Sequence, residues 1–164
     1  MKSRCNRGRA SLPICPEPDV TPQQIVSVKN SFSLVQPIAT LAASMFYENL
    51  FKADPSLKPL FTGDMVHQGE RLMTMIGTAV GMLDRPDSLV PQLRRMGIRH
   101  QGYGVRERDY ATVGAALLLT LQQGLGDAFT PEVREAWTAL YGVISFNMID
   151  AARVVPEVSS MPIQ

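Results

Sequence analysis

Apolar residues recur along this chain at intervals of three and four rather than two. Leu72, Met73, Ile76, Val80 and Leu83 form one such series, and Val133, Trp137, Leu140, Tyr141, Ile144 and Met148 another. A helix turns once in 3.6 residues, so each series lies along one side of a helix and marks the face it buries. Proline supplies the punctuation, because it donates no backbone hydrogen bond and clashes with the preceding turn. Pro13, Pro16, Pro18 and Pro22 crowd the start, and Pro37, Pro55, Pro59, Pro86, Pro91, Pro131 and Pro156 bracket helix-sized segments. Thr21-Pro22-Gln23-Gln24 offers a capping hydroxyl, a proline at the first helical position and a glutamine that reaches back; Thr130-Pro131 repeats the hydroxyl and proline.

The pattern predicts helices over 22–36, 38–52, 65–84, 90–102, 107–124 and 131–153, with a short helical turn at 55–61. Strand signals are nearly absent. The expected architecture is all-α: one domain over 21–153, a flexible segment over 1–20 and a short tail over 154–164. A proline-rich corner at 53–61 and a long connection at 84–90 fit a layered, orthogonal packing with a pocket better than a four-helix bundle with tight turns.

Composition narrows the function. The 164 residues are 45% hydrophobic and 19% charged, with 16 basic against 15 acidic side chains for a net charge of +1. No strong field draws the chain to a nucleic-acid backbone or an anionic membrane, so neither is an expected partner. No apolar run approaches the length of a membrane span, and the basic leading segment lacks the apolar core of a signal peptide, so a cytoplasmic location is expected. Cys5 and Cys15 both lie in that segment without zinc spacing; they could form one bridge or stay free, and a reducing compartment favours free thiols.

The chain has two histidines, His67 and His100. No G-x-S-x-G turn, H-E-x-x-H pair or repeated Glu-x-x-His motif accompanies them, so hydrolase, zinc-protease and di-iron chemistry lose their usual residues. His100 is in phase with Leu93 and with Met96 or Gly97, which turns its ring towards the buried side of its helix. One neutral imidazole facing an apolar space suits an axial haem ligand. A core-edge histidine bonded to a carbonyl gives the same pattern.

Further residues bear on that choice. Phe46-Tyr47, Leu50-Phe51, Asp54-Pro55, Leu60-Phe61, Gln68, Leu72, Arg99-His100, Tyr103-Gly104-Val105, Tyr110, and Ala136-Trp137 with Tyr141-Gly142-Val143 follow one another at set separations. Together they resemble a bacterial single-domain haemoglobin, of the branch that includes the globin domain of flavohaemoglobins, over about residues 22–153. The resemblance implies a globin fold of six to seven helices around a haem pocket, with haem b (iron protoporphyrin IX) as cofactor. It implies His100 as the proximal iron ligand, Phe61 against the haem face, Gln68 and Leu72 on the distal face, and Tyr47 as the distal tyrosine. His67 then belongs on the surface, because a one-residue shift turns the helix by about 100°.

A tyrosine hydroxyl in an apolar pocket needs a partner. With Gln68 beside it, Tyr47 would stabilise negative charge developing on oxygen by roughly 1–3 kcal/mol per good hydrogen bond, and slow oxygen release would follow. The resemblance also implies Tyr110 near the proximal histidine, where that branch adds a glutamate from the last helix. Counting from Trp137 puts Ala152 at that position, and Asp150 points about 200° away. The electron push that favours dioxygenase or peroxidase chemistry is therefore expected to be weak. No G-x-G-x-x-G follows a strand, so reducing electrons are expected from an external reductase. The leading expectation is reversible binding of oxygen and other diatomic gases by a monomer or homodimer, with reaction towards nitric oxide. The alternatives are a nitric oxide dioxygenase served by that reductase, and a haem-based gas or redox sensor.

Overall fold

Thr21 begins the first helix as its sequence implies: its hydroxyl accepts from the Gln24 N–H, and the Gln24 side chain accepts from the Thr21 N–H. In this computed structural model residues 19–154 are described. Apart from Asp19, Val20 and Val154, the expected flexible segment 1–20 and tail 154–164 fall outside them, as do Cys5 and Cys15. Six α-helices follow in order: α1 (Pro22–Val35), α2 (Ala39–Ala53), α3 (Met65–Gly81), α4 (Pro86–Gly102), α5 (Asp109–Leu125) and α6 (Pro131–Val154). Short 3-10 turns at Gln36–Ile38, Pro55–Leu60 and Gly126–Ala128 join them, and no strand occurs among the described residues.

The expected boundaries hold to within one residue except around the third and fourth connections; α3 ends at Gly81, three residues earlier than expected. Helix α4 starts at Pro86, not residue 90, and runs through Pro91. Pro86 takes the first helical position, where no N–H is needed. Pro91 removes the donor that would meet the Asp87 carbonyl, but both residues are exposed, so water can satisfy that carbonyl. Helix α5 begins two residues late, at Asp109, a buried carboxylate that accepts from the Arg106 N–H at 2.8 Å.

Helix α4 packs on α6, α1 on α6, and α2 on both α3 and α5. The main core gathers Val28, Phe32, Ala79, Leu89, Leu93 and Trp137. A second cluster forms around Phe46, Tyr47, Leu50, Leu57 and Ala116. Asn49 ties α2 to α5, donating to Thr120 Oγ1 at 3.0 Å and Gln123 Oε1 at 2.9 Å. Tyr141 of α6 lies on Gly114 and donates to the Tyr110 carbonyl at 2.5 Å, which anchors the first turn of α5.

Trp137 is 1% exposed, and its indole N–H donates to Ser31 Oγ at 2.8 Å across the α1–α6 contact. Ser31→Ala leaves that buried donor unpaired, a loss of about 1–3 kcal/mol. Trp137 is the one tryptophan in the chain. Denaturant unfolding followed by its fluorescence should therefore show a lower midpoint with unchanged slope.

Candidate functional site

The second cluster is assembled by four elements, with α5 contributing Ala116. On α2, the stretch Phe46-Tyr47-Glu48-Asn49-Leu50-Phe51 turns its apolar members inwards at helical spacing. The proline-rich corner after Asp54 delivers Leu57, Leu60 and Phe61, and α3 adds Leu72. Asp54 starts that corner by accepting the Ser56 N–H at 3.0 Å, and Asp64 caps α3 by accepting the Val66 N–H at 2.8 Å. Tyr47 stands among three phenylalanines, with ring centroids 5.1 Å from Phe46, 5.9 Å from Phe51 and 5.3 Å from Phe61.

The Tyr47 hydroxyl is the polar group in that aromatic cage. Tyr47 is 6% exposed, and its O–H points to the Gln68 backbone carbonyl at 3.5 Å, the outer edge of hydrogen-bond range. Burial pushes its pKa up, with the Gln68 side chain and the positive charge of Arg71 acting the other way. A neutral phenol with so long a bond has a proton available to a nearer acceptor. Leu72, one turn beyond Gln68, also lines an apolar cavity of about 20 Å³ with Phe46, Met73, Ile76 and Leu117. That is room for one water-sized guest, in walls that offer water little to bond with.

His100 sits in the last turn of α4, where the helix closes in a Schellman motif. The Val105 N–H returns to the His100 carbonyl at 3.1 Å and the Gly104 N–H to the Gln101 carbonyl at 3.0 Å. Gly104 takes φ +91°, a left-handed conformation that a side chain would strain. A Cβ built on it would lie 3.6 Å from Leu60 Cδ2, so the corner after His100 abuts the Tyr47 cluster. Helix termination, not a loop, therefore sets the imidazole's backbone.

The His100 Nδ1 is 2.9 Å from the Met96 carbonyl. A carbonyl only accepts, so Nδ1 carries the proton and Nε2 keeps its lone pair. Burial lowers the His100 pKa and so favours the neutral ring; the charge of Arg99 acts the same way, and the Met96 bond opposes both. His67 is different: exposed, it meets Glu70 at 3.2 Å and Asp64 at 3.9 Å. Among the described residues no three His, Cys, Asp or Glu side chains group as a metal cage. An iron held by His100 needs its remaining ligands from a cofactor.

Of the residues singled out in the sequence, Tyr47, Phe61 and Leu72 come together in one cluster, with Gln68 at its edge through its carbonyl. Tyr110 instead packs at the margin of the main core, and its phenol, raised in pKa by burial, lines a groove of about 390 Å³ with Gly97, Gln101, Gly104 and Ala152. No carboxylate serves His100 there. Glu107 is taken by Arg153, and Asp150 accepts from Arg94 at 2.6 Å. Pattern reading of the sequence offered a carbonyl partner for His100 as the alternative but could not say that it is Met96's, since a carbonyl leaves no side-chain signal. The Gly104 turn was more accessible, since glycine just after a helix ending in Arg-His is a stop signal.

The chain matches the family model described as Globin over residues 44–148. It is 30% identical over 139 residues to a flavohemoprotein of Rhodopirellula baltica, covering 82% of this chain and 34% of that protein. It is 35% identical over 118 residues to the neuroglobin of Tetraodon nigroviridis, covering 63% of this chain and 74% of that one. The fold superposes on a bacterial globin from Campylobacter jejuni with a TM-score of 0.70 at 25% identity, covering 81% of this chain and 96% of that one. The match to the flavohemoproteins spans about a third of their length.

Proposed function

Because the chain belongs to the globin family, we propose that it carries haem b on His100, binds oxygen reversibly and reacts with nitric oxide at the same site. The observation that supports this reading best is the His100 ring itself: one nitrogen is spent on the Met96 carbonyl and the other is left with a lone pair, on a helix end whose Gly104 turn adjoins Leu60 of the second cluster. When bound, the cofactor would supply an iron that takes a diatomic gas and changes valence by one electron. The proposed domain is 21–153, with the chain acting in the cytoplasm as a monomer or homodimer.

The chain's residues do the rest. Nε2 of His100 offers its lone pair, while Met96 holds the Nδ1 proton and fixes the ring's orientation. Tyr47, loosely bonded to Gln68, donates its O–H to the negative end of a diatomic guest, in a cage where Phe46, Phe51 and Phe61 exclude water. Leu72 crowds that position from the α3 side. On the proximal side the imidazole's partner is a neutral carbonyl and not a carboxylate, so its donation is modest. This favours gas carriage with slow nitric oxide consumption over a dedicated dioxygenase, and any sustained turnover draws electrons from a separate reductase.

Haemin reconstitution tests the reading first: a Soret band that shifts on reduction and under carbon monoxide is expected, and its absence refutes the proposal. Tyr47→Phe then keeps the ring and removes the donor. Oxygen should dissociate roughly ten- to a hundredfold faster, the range set by about 1.4–2.8 kcal/mol, and carbon monoxide, which gathers less negative charge, should respond less. Equal changes for both gases in stopped flow mean that the tyrosine works by shape. His67→Ala, on an exposed ring, should change neither rate.

A further inference from the structure

The C-terminal half of α4 presents a basic face whose purpose the gas site does not explain. Between residues 94 and 109 five arginines stand against Glu107 and Asp109, in a chain whose net charge is +1. Arg94, Arg106 and Arg108 lie within 4.0 Å of Asp150 or Asp109. Arg95 and Arg99 have no carboxylate that close among the described residues, although both are exposed. Four residues apart, they lie along one flank of the helix, bordered by Ile98, which is 39% exposed. At the end of the flank Tyr103 is 69% exposed, yet its ring centroid lies 6.3 Å from that of His100. A positive, partly apolar surface thus ends on an aromatic ring in van der Waals range of the imidazole. The Gly104 turn fixes the backbone that carries that ring.

We propose that the face formed by Arg95, Ile98, Arg99 and Tyr103 docks an acidic one-electron carrier protein, which reduces the iron through Tyr103 and His100. The inference rests on the haem reading above. Charge complementarity identifies the partner: two desolvated-ready guanidiniums beside exposed apolar side chains suit a carboxylate-rimmed protein surface, with the steering and salt dependence such pairs show. The transfer balances simply. The reduced carrier loses one electron, ferric iron gains it and becomes ferrous, and no bond or proton moves. Tyr103 shortens the path and is not itself oxidised.

The test uses the full chain reconstituted with haemin, a step whose failure reports on the haem reading alone. A plant-type [2Fe–2S] ferredoxin serves as the acidic probe, with binding measured by calorimetry at an ionic strength of about 0.01 M, where charges act over ~30 Å. Wild type should bind and lose affinity steeply with salt. The double variant Arg95→Glu/Arg99→Glu should bind at least tenfold more weakly, and Arg95→Gln/Arg99→Gln, the milder pair should folding suffer, by a smaller factor. Arg134→Glu, fourteen residues before Met148 on α6 and so about 21 Å away along its axis, should stay within twofold of wild type. At saturating carrier, Tyr103→Ala should slow single-turnover reduction, read at the Soret band, several-fold. No binding at low salt, an equal loss in Arg134→Glu, or tighter binding of a duplex oligonucleotide to the same arginines would overturn the proposal.

Discussion

His100→Ala should abolish specific haem retention, lowering affinity by more than about a hundredfold. Removing a group that merely orients a metal ligand already costs roughly 10–100-fold, and here the ligand itself goes. No second imidazole can replace it: His67 is exposed and engaged with Asp64 and Glu70 on another helix. The substitution is tolerable to the fold, since alanine suits a helix and the Schellman bonds at His100 use its backbone. Circular dichroism should therefore stay helical while the Soret band of the reconstituted protein is lost or displaced. Added imidazole, small enough to enter the vacated space, should restore part of the spectrum. A variant that keeps a wild-type Soret band shows that His100 is not the ligand.

Much of the helical framework was legible in the chain because period and punctuation are local. Thr21 and Thr130 cap as their dipeptides suggest, and the stripe from Val133 to Met148 faces the core through Trp137, Leu140 and Met148. Pro91 misled because proline stops a helix only where the lost bond and the crowded carbonyl matter; early in α4 and exposed to water, they do not. The resemblance drew attention to Tyr47, Phe61 and Leu72, which share a cluster. It could not reveal that the proton on His100 rests on a backbone carbonyl, because carbonyls are invisible to any residue pattern. Nor could it show that Glu107, Asp109 and Asp150, the carboxylates nearest in sequence to the proximal residues, are spent on arginines. Tyr103 follows the helix expected to end at 102, but its place as the C-cap, where the chain turns it outwards, leaves no mark in the periodicity.

Gly97→Ala should damage the fold more than its size suggests. Glycine inside a helix ordinarily costs about 1 kcal/mol against alanine, so the exchange ought to stabilise α4. Here α4 crosses α6 backbone to backbone. A Cβ on Gly97 would come within 2.5 Å of Met148 Cα and overlap its carbonyl oxygen, and neither atom can rotate away. The helices must separate, opening the contact that buries Leu93 and Met148, and overpacking of this kind typically costs 1–3 kcal/mol after any gain in propensity. For a domain of this size that is a fall in melting temperature of about 2–12 °C. Gly81→Ala is the control, at a helical glycine whose Cβ would meet nothing within 4 Å, and it should leave the temperature unchanged or raise it. Since Gly97 lies one turn before His100, the displaced helix carries the imidazole with it. The Gly97 variant should therefore also show a shifted Soret band, and Gly81→Ala should not. A thermally unchanged Gly97→Ala means that α4 and α6 do not meet at this glycine.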